Sequence, residues 1–212
     1  MQGQFPTLDA GVTYLDGDGA PAALYRLVGR HLADSDGPAY WVDARNAASP
    51  DAVRRNAPGR AEQSLRVARA FTGYQHYELA RSLPARASPR TALVVAPNVA
   101  SLYAEDDVPE YEGDAMLDAT LAVLSALGDA LSVPVVVTAS ERTDRVRAAA
   151  DRTVTAERTR AGLTLAGESF RTDLYWDGGG FQTTIRYWVD LLGAVGAPGG
   201  DALAVDPAAP GV

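Results

Sequence analysis

YLDGDGAPAALYRLVGRHLA, residues 14–33, joins a short apolar strand to an amphipathic helix through a glycine-rich turn. Leu24, Leu27, Val28 and Leu32 recur at helical spacing, so the spacing predicts a helix over 22–33 with one buried face. Strand, glycine turn and helix in this order form the layout of a phosphate-binding loop. Such a loop cradles phosphate with backbone N–H groups and needs a lysine and a hydroxyl residue besides. The turn here is Asp16, Gly17, Asp18, Gly19, Ala20, Pro21, Ala22, with neither. A plain strand-to-helix turn accounts for the same residues: Gly17 and Gly19 permit unusual backbone angles, and Pro21 starts a helix.

Working outward, strands and helices alternate. Residues 12–15 and 39–44 read as strands. Ser49 is an N-cap with Pro50 at the first helical position. Residues 64–71 read as a strand followed by a helix over 73–83. The runs 91–97 and 133–140, built on the apolar stretches 92–95 and 133–137, read as parallel strands buried on both faces. Between them, Met116, Leu117, Leu121, Leu124, Leu127 and Leu131 mark a helix over 114–131. After residue 140 the pattern changes to short strands at regular spacing. Asp177-Gly178-Gly179-Gly180 supplies a tight turn between two of them, and a last helix runs over 186–195. Residues 1–196 are expected to form one α/β domain, mainly a parallel sheet flanked by helices, with antiparallel strands added by the last third. Residues 197–212, rich in Gly, Pro and Ala, read as a disordered tail.

Composition narrows the function classes. The chain of 212 residues has no cysteine and two histidines, His31 and His76. This excludes a disulfide framework, a thiolate metal site and a cysteine nucleophile, and argues against a histidine zinc site. All 19 basic residues are arginine, against 27 acidic residues, for a formal charge of -8. A lysine-free acidic chain points to adaptation to high internal salt, where net charge says little about nucleic-acid binding. No apolar run is long enough to cross a membrane and the N-terminal residues do not read as a secretory signal, so a cytoplasmic protein is expected.

Four segments, in order, carry a family resemblance. YWVDARNAASPDAVR (40–54), ARAFTGYQHYEL (68–79), ALVVAPNVASLYAEDD (92–107) and VPVVVTASERTD (133–144) resemble successive segments of the archaeal and eukaryotic RecA-type recombinases. The later stretch from AADRTVTAERTRAGLTLAG to GGFQTTI looks like the hairpins that close the recombinase core. The resemblance covers roughly residues 10–195. With no room for a separate N-terminal helical domain, the chain is most similar to core-only paralogues such as the archaeal RadB group. It implies a RecA-like P-loop NTPase core.

The resemblance also shows what has been lost. With Leu24 at the leucine that follows the family's loop, Pro21 and Ala22 take the Lys and Thr places. Proline removes an N–H, alanine removes the hydroxyl, and Asp16 and Asp18 would repel phosphate. The aspartate that helps to hold magnesium is replaced by Ala96 or Pro97. Arg45 stands at the catalytic glutamate's place, and a guanidinium is no base. Asp43 remains. The expectation is a pseudo-ATPase with no cofactor, no metal and no catalytic residue. It would be an accessory protein in DNA repair and recombination that binds a recombinase or another paralogue. Two alternatives remain. One is a regulatory protein-binding module, as in clock- and signalling-type relatives of this core, with no DNA role. The other is a new enzyme site built from Asp16, Asp18, Asp43 and Arg45.

Two surfaces are candidates for contacts. Recombinases bind DNA through the loops after the two central strands. The first loop here holds Glu105, Asp106, Asp107, Glu110, Glu112 and Asp114, which reads as a solvated acidic loop or a dock for a basic partner. The second region carries Arg142, Arg145, Arg147, Arg152, Arg158 and Arg160, suited to phosphate or partner contact. Yet Glu141, Asp144, Asp151 and Glu157 interleave, as on a mixed-charge surface. Phe5-Pro6-Thr7-Leu8 lies where recombinases carry a subunit-docking linker, and reads otherwise as an arm packed on its own core. His76 and Tyr77 are expected on a half-buried helix face, and Trp41, Trp176 and Trp188 in the core or at its edge. Ser101, Ser140 and Asp43 have no companion histidine in sequence, so a hydrolase triad has no support.

Overall fold

The computed structural model describes residues 6–56, 64–177 and 180–183. The chain runs β1 (Gly11–Asp16), α1 (Ala20–Ala33), β2 (Ala39–Asp43), α2 (Pro50–Asn56), β3 (Leu65–Arg69), α3 (Gly73–Ser82), β4 (Leu93–Ala96), α4 (Glu110–Leu131), β5 (Pro134–Thr138), α5 (Thr143–Ala148), β6 (Arg152–Arg158), β7 (Gly162–Ala166), β8 (Arg171–Asp177) and β9 (Gly180–Thr183). Short 3-10 turns occupy Leu83–Ala85 and Ser101–Ala104.

The nine described strands form one sheet in the order β3-β2-β4-β5-β1-β6-β7-β8-β9. The first six are parallel and the last three join antiparallel. The two apolar runs become β4 and β5, side by side in mid-sheet. Alternate residues on each strand point to opposite faces. Leu93, Val95 and Val136 enter one core with Trp41, Leu15 and the α1 residues Leu24, Leu27, Val28 and Leu32. Val94, Ala96, Val135 and Val137 enter the other, with Tyr14, Val42 and the α4 residues Met116, Leu117, Leu121, Leu124 and Leu127. This is a three-layer α/β architecture, with α1 and α2 on one face and α4 and α5 on the other.

Several expectations are corrected in detail. Helix α1 begins at Ala20, two residues early, because Gly19 already serves as its N-cap. Helix α4 begins at Glu110, so Glu110, Glu112 and Asp114 sit in its first turns and not in a loop. Acidic side chains there complement the helix N-terminus. Helix α5 is not anticipated: its six residues carry one buried apolar side chain, Val146, too few to make a period. Strand β6 is parallel to β1, so the antiparallel portion starts one strand later than the change of pattern implies. The 186–195 helix, the Gly178-Gly179 turn, the 197–212 tail and Trp188 lie outside the described residues.

His76 departs furthest from expectation. It is fully buried, not half-buried. Its Nδ1 lies 2.7 Å from the Tyr103 hydroxyl, which lies 2.8 Å from Thr120 Oγ1. This chain of polar groups links α3, the 3-10 turn at Ser101–Ala104 and α4. Burial pushes the His76 imidazole down to about 4. The unfolded chain, with an ordinary imidazole, binds a proton between about pH 6.5 and 4 that the native state refuses. Stability supplied by this site is therefore full above that window and is lost as pH falls through it. At about 1.4 kcal/mol per pH unit the loss reaches roughly 3 kcal/mol. Urea unfolding of the wild type and of His76→Gln at pH 7 and pH 4.5 checks this. The wild type should lose the larger share of its stability; equal losses would show that the native imidazole is not held neutral.

Candidate functional site

The parallel strands end, at their C-terminal edges, in the loops that carry the singled-out residues. The connection from β1 crosses the α1 face, whereas those from β4 and β5 cross the α4 face. Beside β1 and between β2 and β4 this arrangement has the usual ligand positions of open α/β sheets. An arginine of the chain itself, about half exposed, stands at each.

At β1 the arginine is Arg147, from α5. Its Nη2 lies 2.5 Å from Asp16 Oδ2, and its guanidinium lies over the Tyr14 ring, 5.9 Å from the centroid. Asp16 Oδ1 accepts from the Tyr14 hydroxyl and from the Gly17 N–H, both at 2.9 Å. Burial, reinforced by Asp16, pushes the Tyr14 phenol up to about 12. Strand β6 rises past the end of β1, and its backbone covers the glycine turn. The Gly19 N–H donates to Ala156 O at 2.9 Å, and Asp18 Oδ1 accepts from the Arg158 N–H at 3.0 Å. A Cβ on Gly17, whose φ is +99°, would stand 2.4 Å from Ala156 O. One on Gly19 would stand 2.4 Å from Leu163 Cδ1. Protein oxygens thus take two of the N–H groups that a phosphate loop turns toward its ligand. Pro21 is exposed and offers no N–H, and Ala22 has no hydroxyl. Ala20, Ala22 and Ala23 donate to Gly17 O and Gly19 O.

At β2 and β4 the arginine is Arg45. It sits at φ 61°, donates to Ser101 O at 3.2 Å and pairs with Glu105. Asp43 is fully buried. Its Oδ1 accepts from the Ala48 N–H at 2.9 Å, and its Oδ2 lies 3.2 Å from Arg69 Nε. It closes the β2–α2 loop and ties it to the end of β3. At the end of β4, Ala96 is buried, and the N–H groups of Asn98 and Val99 donate to Thr138 on β5. Asp16, Asp18, Asp43 and Arg45, considered together as a new enzyme site, are thus each bonded to a different part of the backbone or to another side chain. They do not converge on one cavity. The described residues contain no cluster of metal-ligating side chains.

Arg142, Arg145 and Arg152 of the arginine region are likewise bonded within the chain. Arg142 Nε lies 2.7 Å from Asp114, and Arg145 pairs with both Asp114 and Asp118 at 2.8 Å. Arg152 Nη1 donates to Ala10 O at 2.9 Å. The carboxylates come from α4, so these pairs dock α5 on α4. The spacing of Asp114 and Asp118, one helical turn apart, is the signal that sequence reasoning passed over.

Leu8 of the N-terminal arm is buried in the core beneath α1. Cavities of about 270 and 540 Å³ flank residues 6–8. The smaller lies between the arm and the C-terminal half of α1, and the larger lies against the N-terminal ends of β1 and β6, the edge opposite the glycine turn. No described helix is long and apolar enough to cross a membrane. No protein-family model matches the chain, and no curated protein matches it in sequence.

Gly17→Ala should destabilise the protein by about 1–3 kcal/mol, because the added Cβ meets Ala156 O and the backbone angle is strained. Asp51→Asn, on the exposed face of α2, serves as the control and should change little. Urea midpoints decide. An unchanged midpoint for Gly17→Ala would mean that β6 does not press on the turn.

Proposed function

We propose that the chain is a non-catalytic relative of the RecA-type ATPase core, a pseudo-ATPase that works by binding another protein. The observation that carries the reading is the Gly19 N–H donated to Ala156 O, beneath a β6–β7 hairpin packed on the glycine turn. A nucleotide phosphate there would have to displace a backbone carbonyl and lie beside Asp16 and Asp18, with no lysine in the chain to offset the repulsion. The mainly parallel sheet with antiparallel strands at its C-terminal side supports the fold half of the proposal. The partner half rests on the resemblance of the four segments. On that reading the partner is a recombinase or another paralogue, and the protein modulates assembly of the recombinase without hydrolysing ATP.

The second reading is a regulatory protein-binding module with no DNA role. The ion pairs of Arg142, Arg145 and Arg147 with carboxylates of the same chain favour it, because phosphate would have to compete with those carboxylates.

Calorimetric titration with magnesium-ATP at millimolar concentration should give no isotherm; a saturable one would overturn the pseudo-ATPase proposal. A pull-down of the tagged protein from native cells at their working salt separates the two readings. Enrichment of a recombinase or paralogue supports the first, and a partner set without repair proteins supports the second.

A further inference from the structure

Three aromatic side chains at the C-terminal edge of the sheet face solvent. Phe71 and Tyr111 are each 78% exposed and Tyr74 is 45% exposed, in a chain whose core holds most of its other large apolar side chains. They belong together. Phe71 precedes Thr72, the N-cap of α3, and Tyr74 lies in that helix's first turn. Tyr111 lies in the first turn of α4. Both helix starts rest on one short segment. A Cβ on Gly73 would stand 2.8 Å from Leu102 O, and one on Gly113 2.2 Å from Tyr103 O. The two first turns are therefore side by side. Partial desolvation, a hydrogen bond to Glu112 and the nearby charge of Asp107 hold the Tyr74 phenol above its ordinary range, with Tyr111 close enough to contribute.

Folding does not require this exposure. A Tyr or Phe at the surface forfeits its burial, and Glu110 already serves the N-terminus of α4. Asp106 and Asp107, also exposed, lie outside the helix, and the charge of Asp107 reaches the Tyr74 phenol.

We propose that Phe71, Tyr74 and Tyr111, bordered by Asp106, Asp107 and Glu110, form a docking surface for a basic segment of a partner protein, one bearing arginine or lysine beside an aliphatic or aromatic side chain. The rings bind the apolar side chain and take a guanidinium on their faces. The carboxylates take the partner's charge and speed its approach. Charge complementarity selects this occupant. Single-stranded nucleic acid would find rings to stack on but would bring its phosphates against Asp106 and Asp107. At high salt the carboxylate contribution is screened while the ring contacts persist. The surface is independent of the recombinase reading, since it rests on exposed rings and charge alone.

The test is fluorescence anisotropy of a short fluorescein-labelled peptide alternating arginine and leucine, at low salt and at molar potassium chloride. The wild type should bind saturably at both. Phe71→Ser with Tyr111→Ser should weaken binding about tenfold or more at both salts. Asp106→Asn with Asp107→Asn should weaken it at low salt and change it little at high salt. All three proteins should unfold at the same temperature, because the substituted side chains are exposed; the aspartate pair keeps the test decisive if the aromatic pair unfolds early. Equal affinity in the wild type and the aromatic variant, or no saturable binding by the wild type, would overturn the proposal. So would an oligothymidylate that displaces the peptide from the wild type. Peptide binding that depends on Phe71 stands whether or not a recombinase appears in the pull-down, so the two proposals fail separately.

Discussion

The backbone of β6 passes so close to the β1–α1 turn that only glycine fits at two positions below it. Ala156 O receives the Gly19 N–H, and the same carbonyl lies where a Cβ on Gly17 would be. This contact fixes the height at which β6 runs beside β1 and places the β6–β7 hairpin over the turn. It also sets the use of the neighbouring charges. Asp18 bonds the Arg158 N–H on the same strand, and Asp16 is drawn to Arg147 from the crossover that leads into β6. Glycines that would let a backbone wrap an anion here let one strand settle on another.

A second consequence concerns charge. With arginine as the only basic side chain apart from two histidines, each ion pair is a planar guanidinium that can serve two acceptors at once. Arg145 joins Asp114 and Asp118, and Arg45 joins a carbonyl and a carboxylate. Exposed pairs of this kind contribute only about 0–1 kcal/mol each. Their effect is better described as positional: they seat α5 on α4 and set Arg147 and Arg45 at the two places where open α/β sheets usually take a ligand.

The sequence made the sheet's centre plain and its edges obscure, for a physical reason. Strands β4 and β5 are buried on both faces, so they must be almost wholly apolar, with Thr138 at the end of β5 the one polar residue, and that requirement is visible residue by residue. The Ser49 cap was equally visible, because a local hydrogen bond to the Ala52 N–H needs only local sequence. Helix α5 was hidden because Val146 alone faces the core. The burial of His76 was hidden because its partners, Tyr103 and Thr120, are distant in sequence. In the candidate site, the missing lysine and hydroxyl could be read directly. The carbonyl that takes the turn's N–H could not, since any residue type at position 156 supplies one.

Absent side chains show only that one version of a chemistry has gone. A phosphate loop binds mainly through its backbone, and backbone is present whatever the sequence. In this turn the Gly17 and Gly19 N–H groups are already taken by protein oxygens. The Gly19 N–H cannot serve Ala156 O and a phosphate together, and freeing it means lifting β6 from the turn and exposing Leu163, which packs against Gly19. At the same edge of the sheet, the rings of Phe71 and Tyr111 are largely exposed. The turn thus spends two of its backbone donors inside the chain, while the rings of Phe71, Tyr74 and Tyr111 stay exposed at the same edge.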